Sequence, residues 1–364
     1  MKQIEKLTLE EKVGQLFMVG IQENKEQKIL ELIQNHKIGG IIVYKKNYKN
    51  YEEMIKLIND IKGINYKNSI PIFISTDQEG GRVNRMPPEI LNLKSANKYA
   101  STNNIELVKQ SGKIIAKMLK ESGISMDYAP TLDIMRFKEN HAIGDRCYGK
   151  NKEDVSKYGI EVMKQMQENG TIPVIKHFPG HGSTIKDSHF RIPIIDKSIE
   201  ELENDDMIPF ENAIKEGAEA IMVGHLVIKD VDKKYPASLS EKIIKKYLIE
   251  KYNYKGLIIT DDLKMMAVQL HYNMKKAVVK AIEAGNDIIM IGLPYAKVKR
   301  IIKYVIKKVK HGKIPEERIN KSLEKIISIK EKYEVNDEKI KGIDIRRINN
   351  QIEELNKKVE EINL

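Results

Sequence analysis

Short apolar runs recur along this chain, and the gaps between them each leave room for a helix. The runs fall at residues 15–19, 39–44, 71–75, 126–130, 173–176, 220–223, 256–260 and 287–291. Each is too short for a helix of its own and is bounded by glycine, proline or a polar cluster, so each reads as a buried strand. The segments 25–36, 51–62, 105–122, 155–169, 199–216, 241–252, 274–284 and 296–310 carry the longer helical pattern. Thr8-Leu9-Glu10-Glu11 is a capping box that opens one more short helix. Strands that alternate with helices are parallel and covered on both faces, which is why they read as continuous apolar runs. Eight such units predict an α/β fold, a (β/α)8 barrel of the TIM type. A doubly wound sheet is the alternative, although it needs no eightfold regularity.

The expected division is a barrel over residues 1–312 and a helical extension, 313–364, packed on it. Within the extension, 316–333 reads as a helix. Beyond it Ile345, Ile348, Ile352, Leu355, Val359 and Ile362 repeat at spacings of three and four, an amphipathic stripe. The stripe is too short for a coiled coil, so packing against the barrel is expected, with a dimer contact as the alternative. A monomer is the expectation that follows.

Composition narrows the function. The net charge of +11 raises the question of nucleic acid or an anionic surface. The lysines, however, are spread through many helices, and the chain has 6 Phe and no Trp, so no nucleic-acid partner is expected. No run approaches the ~18 apolar residues of a membrane span. The single cysteine, Cys147, rules out an intrachain disulfide, and the first residues lack the apolar core and cleavage site of a secretion signal. The expected location is cytoplasmic.

Polar groups gather where a barrel places its chemistry. Asp77 follows the third strand, Lys176 and His177 end the fifth, His225 follows the sixth and Asp261 the seventh. All belong to the C-terminal rim, where barrel active sites lie. The densest stretch is KHFPGHGSTIKDSH, Lys176 to His189. Pro179 and Gly180 prevent a helix, and Gly182 permits unusual backbone angles. Two chemistries fit. His177, His181, Asp187 and His189 are possible metal ligands, although His177 and His181 do not form a helical pair. Alternatively, Asp187 holds one nitrogen of His189 and sets its tautomer, making His189 a general acid/base.

The same stretch resembles the signature of glycoside hydrolase family 3, in its β-N-acetylglucosaminidase branch. The resemblance extends through STDQEGGRVNRM, IGDRCYG and ITDDLKMMA, and from LTLEEKVGQLFMVG to the eighth strand. It implies a retaining exo-β-N-acetylglucosaminidase, a β-N-acetylhexosaminidase, that releases terminal GlcNAc from peptidoglycan-derived fragments without metal or cofactor. Retention requires a nucleophile on one face of the sugar and a proton donor on the other. Asp261 resembles the family nucleophile, with helix capping as the other use for Asp261 or Asp262. His189 resembles the acid/base, with Asp187 its partner. Asp77, Arg85, Arg146, Lys176 and His177 resemble the residues that bind the GlcNAc, with ion pairing the other use for Arg82 and Arg85 and loop structure for Gly80 and Gly81. Cys147-Tyr148 and Ser183 depart from the usual residues, and neither change touches a proposed catalytic group. Some family members take a Glu acid/base from a second domain, for which the tail here is too short. A metal-dependent barrel hydrolase and a non-catalytic sugar-binding module are the rival functions. A histidine acid/base, uncharged when deprotonated, also leaves phosphorolysis open beside hydrolysis.

Overall fold

The computed structural model of the chain describes residues 4–22, 26–137, 140, 142–184 and 192–362. Its strands are β1 (Phe17–Gly20), β2 (Gly40–Ile42), β3 (Phe73–Thr76), β4 (Met126–Asp127), β5 (Ile172–Phe178), β6 (Ile194–Ile195), β7 (Ala220–Val223), β8 (Val227–Ile228), β9 (Leu257–Thr260) and β10 (Ile289–Ile291). Eight of them form one sheet in the order β10-β1-β2-β3-β4-β5-β7-β9, every neighbouring pair parallel. The two edges meet through a parallel bridge between Ile259 and Ile288, supported by the Thr260 amide donating to the Ile288 carbonyl at 3.0 Å. The fold is therefore a (β/α)8 barrel. Helices such as Tyr51–Asn65, Ile105–Glu121, Lys152–Glu168 and Tyr295–Lys310 wrap it.

The apolar runs fill the space between strands and helices. Phe17, Ile41, Ile74, Val174, Ile221, Ile258 and Ile289 are all buried. Each such side chain contributes on the order of 1.5–3 kcal/mol when fully withdrawn from water.

Several elements differ from the sequence expectation. β5 runs to Phe178 and so carries Lys176 and His177 within the strand, with a register shift between Ile175 and Phe178. The segment 199–216 divides into helices Ile199–Glu203 and Ile208–Lys215, because Pro209 is suited only to the first turn of a new helix. The segment 241–252 winds as a π-helix over Lys242–Lys251. β6 and β8 pair with each other outside the barrel, and neither stood out as a strand in the sequence.

Helix Ile345–Ile362 buries Ile348, Ile352, Leu355 and Val359 in the main core cluster. Arg347 pairs with Glu121, and Lys94 with Glu360, at the borders of that face. Its apolar stripe is thus spent on the barrel's own wall.

Candidate active site

A cavity of about 550 Å³ opens among the C-terminal strand ends. Its floor is apolar: Ile42 at the end of β2, Met222 on β7 and Met290 on β10 are all buried. Above them stand Asp77, Arg85, Arg146, Lys176, His177, His181 and Asp261. Asp77 and Asp261 are each the first residue beyond their strands, β3 and β9. The strands stop there because the next backbone groups turn to loops. The Asp261 amide still donates to the Val223 carbonyl at 3.0 Å, which ties the carboxylate to the barrel.

Asp261 and Asp262 divide their work. Burial pushes the Asp261 carboxyl up, but the imidazoles of His225 and His177, the Asp262 amide and the Lys176 ammonium together hold it below the usual aspartate range. Burial also pushes Asp262 up, and there it prevails, reinforced by the charge of Asp261. Asp262 Oδ1 accepts from the amides of Lys264 at 2.8 Å and Gly292 at 2.9 Å, so this side chain shapes the loop. Asp261 Oδ1 accepts from the Asp262 amide at 2.7 Å, and the side chain borders the cavity.

His225 supports the same loop. Its Nε2 donates to the Asp262 carbonyl at 3.1 Å, so Nδ1 accepts from the Ser238 hydroxyl at 2.7 Å. Burial lowers its pKa, while the charge of the neighbouring Asp261 pulls it the other way.

The opposite wall is built on a buried carboxylate that sequence reasoning missed. Glu79 lies two residues past Asp77, and its oxygens accept from Arg146 Nε at 2.8 Å and Nη2 at 2.7 Å. Lys176 Nζ lies 2.5 Å from Glu79 Oε1 and 3.3 Å from Asp77 Oδ1. Burial alone would raise the Glu79 pKa, but the two cations hold it well below the usual carboxylate range. Arg85 completes the wall, 3.9 Å from Asp77 Oδ2. Arg82 bonds Asp145 at 2.9 Å and the carbonyls of Ala142 and Ile143, the ion-pairing use expected for it.

A second missed carboxylate, Asp133, holds the histidines. His177 Nδ1 donates to Asp133 Oδ2 at 2.7 Å, and the amides of His177 and His181 donate to Oδ1 at 3.3 and 2.6 Å. The pairing uses Nδ1 of His177 and leaves Nε2 as its other polar atom beside the cavity. The His177 and His181 rings meet edge to face, 5.9 Å apart. Burial, then the neighbouring His177, lowers His181 to about 4, so it stays neutral near pH 7. Among the described residues no three His, Cys, Asp or Glu side chains converge as a metal-binding group. The glycines of this loop serve different ends from the one expected. Gly180 takes the left-handed conformation, φ 126°, whereas a Cβ on Gly182 would lie 1.8 Å from the Ile134 carbonyl oxygen.

The structure therefore brings Asp77, Arg85, Arg146, Lys176, His177 and Asp261 to one cavity. Asp187 and His189 lie outside the described residues. Glu79 lies three residues past β3 and Asp133 six past β4, so neither is the strand-end acid that Asp77 and Asp261 are. Cys147 is a buried thiol.

Residues 8–329 match the family model described as the glycosyl hydrolase family 3 N terminal domain. A β-hexosaminidase of Photobacterium profundum is 35% identical over 278 residues, 76% of this chain and 80% of its own length. One from Haemophilus influenzae is 31% identical over 271 residues, covering 73% of this chain and 76% of that protein. A solved glycoside hydrolase family 3 β-N-acetylglucosaminidase from a Paenibacillus species matches with a TM-score of 0.89 at 32% identity. That match covers 96% of this chain and 68% of the other. With its barrel, its rim carboxylates and a match over most of its length, the chain belongs to glycosyl hydrolase family 3.

Proposed function

We propose that this chain is a retaining exo-β-N-acetylglucosaminidase that releases terminal GlcNAc from peptidoglycan-derived fragments. The observation that carries the reading is the Asp261 carboxylate, held below the usual aspartate range against its burial and bordering the cavity at the C-terminal rim. The apolar floor takes one face of a sugar ring. Asp77 accepts hydroxyl hydrogen bonds, while Arg85, Arg146 and Lys176 donate them. His177, steadied by Asp133, offers Nε2 to the same ring. Asp261 then attacks the anomeric carbon as the bond to the leaving oxygen breaks, and His189 supplies that oxygen's proton. A water molecule, deprotonated by His189, displaces the Asp261 carboxylate and restores the enzyme. Asp187 orients His189. An imidazole suits this exchange because it gains and loses a proton near neutral pH without a large shift.

The proposal includes a cytoplasmic monomer. No described helix is long and apolar enough to cross a membrane, and the apolar face of helix Ile345–Ile362 is already covered. Muropeptides are the proposed natural substrates because the family branch that the sequence resembles implies them.

The test is turnover of a chromogenic β-N-acetylglucosaminide by wild type, Asp261→Ala and His189→Ala, with and without chelator. Chelator-resistant activity should fall by roughly three orders of magnitude or more in Asp261→Ala and strongly in His189→Ala. Near-normal turnover by Asp261→Ala would sink the mechanism, and abolition by chelator would indicate a metal hydrolase. The pH profile follows from the site. A nucleophile held below the usual aspartate range keeps kcat/KM from falling on the acid side until the pH drops beneath that range, whereas deprotonation of the general acid sets the alkaline fall.

A further inference from the structure

Five cations line the cavity, and four of them are committed. Arg146 and Lys176 close on Glu79, Arg85 faces Asp77, and Arg82 bonds Asp145. The fifth, Lys264, makes no ion pair among the described residues. Among those residues its hydrogen bonds run through the backbone: the amide donates to Asp262 Oδ1 at 2.8 Å and the carbonyl accepts from Gln269. That amide bond holds Lys264 at a set offset from Asp261, three residues earlier on the same loop. The lysine stem runs past Gly292, where a Cβ would stand 2.6 Å from Asp262 Oδ2 and 3.3 Å from Lys264 Cδ, so glycine there makes room for the Asp262 carboxylate first and the stem beside it.

Depth assigns this lysine to a part of the substrate. The floor residues Ile42, Met222 and Met290 are buried, and Lys176 is 1% exposed, whereas Lys264 is exposed and its neighbour Met266 is 44% exposed. An exo-acting site seats the terminal sugar on the floor, so the leaving group passes the mouth. We infer that Lys264 forms a subsite for a carboxylate on the leaving group, giving this enzyme a preference for glycosides whose aglycone is acidic near the scissile bond. The inference rests on the glycosidase reading above. A compact ammonium on a flexible stem suits a single carboxylate that varies in position. Met265 and Met266 beside it offer adaptable apolar contact to the body of the same aglycone.

The experiment compares GlcNAc β-linked to MurNAc with the same disaccharide as its lactyl methyl ester. Wild type, Lys264→Met and Lys264→Glu are each assayed at low and high salt. The readout is the ratio of kcat/KM for acid over ester, which cancels any loss common to both substrates. Wild type should favour the acid by about fivefold, the upper end for a part-exposed pair, and the preference should shrink at high salt. The ratio should fall to near one in Lys264→Met and below one in Lys264→Glu. A wild-type ratio near one, or an unchanged ratio in Lys264→Met, overturns the subsite while ester hydrolysis still upholds the glycosidase. If wild type hydrolyses neither compound nor the chromogenic glycoside, the glycosidase reading falls and the subsite with it.

Discussion

At the scale of single residues, the site is a set of charges that hold one another in place. Glu79 is the centre of one such set, because both Arg146 and Lys176 spend donors on it. Removing its charge leaves two cations buried without their partner, a kind of break that costs about 3–5 kcal/mol. Glu79→Gln should therefore lower the melting temperature and, by loosening Lys176 and Arg146, raise KM for the chromogenic glycoside. A thermal melt with steady-state kinetics checks both, and wild-type values in either would show that the cluster is less coupled than its distances imply. Asp77, Arg85, Arg146, Lys176, His177 and Asp261 were legible in the sequence because they stand at strand ends or in long family blocks. Glu79 and Asp133 were not singled out, since a buried carboxylate whose task is to hold other side chains differs in sequence from no other acid. Its partners are distant along the chain: Asp133 meets His177 across 44 positions.

Among the elements, helix Glu316–Lys332 does more than cover the barrel. It presents Arg318, Ser322 and Lys325 to the buried Asp287, whose Oδ2 also accepts from the Ile258 amide at 3.1 Å, across the seam between β9 and β10. Further along, Lys330 reaches under the barrel. Its Nζ donates to Gln15 Oε1 at 3.0 Å and the Gly39 carbonyl at 3.1 Å, over the face of Phe73. Burial lowers this lysine to about 7. In the unfolded chain it titrates at about 10.4, so between these values the unfolded state binds the extra proton. The cost of burying the charge is thus present in full below pH 7 and is relieved as pH rises towards 10. Lys330→Met removes that dependence. The melting temperature of the variant relative to wild type should fall steadily from pH 7 to pH 10, and a constant difference would refute the burial of a titrating ammonium. Helix periodicity had located this helix, but not its lysine's destination, because a lone lysine on a lysine-rich helix reads as solvated.

For the whole molecule, many lysines are paired within their own helices, while the net +11 remains as excess positive charge that such pairs do not cancel. Lys56–Asp60, Lys215–Glu211, Lys245–Glu241, Lys321–Glu317 and Lys358–Glu354 are pairs four residues apart on exposed helix faces, each worth about 0–1 kcal/mol. Closure of the barrel matters more. Cutting the chain after residue 312 would remove every helix partner of Asp287 together with Lys330. The shortened chain should lose its cooperative thermal transition and its activity, read by circular dichroism and the chromogenic assay; a folded, active 1–312 fragment would show that the seam holds unaided. What the sequence by itself determined is the repeating unit. Eight apolar runs separated by helices can bury both faces of each strand in few ways, so period and length imply the barrel and put Asp77, Lys176, His177 and Asp261 at one rim. What only the tertiary structure decided is which charges meet. A hydrogen-bonded ion pair forms only when its two groups come within about 4 Å, and Glu79 with Arg146, Asp133 with His177 and Asp287 with Lys325 are brought that close by the tertiary fold, which no local pattern in the chain records.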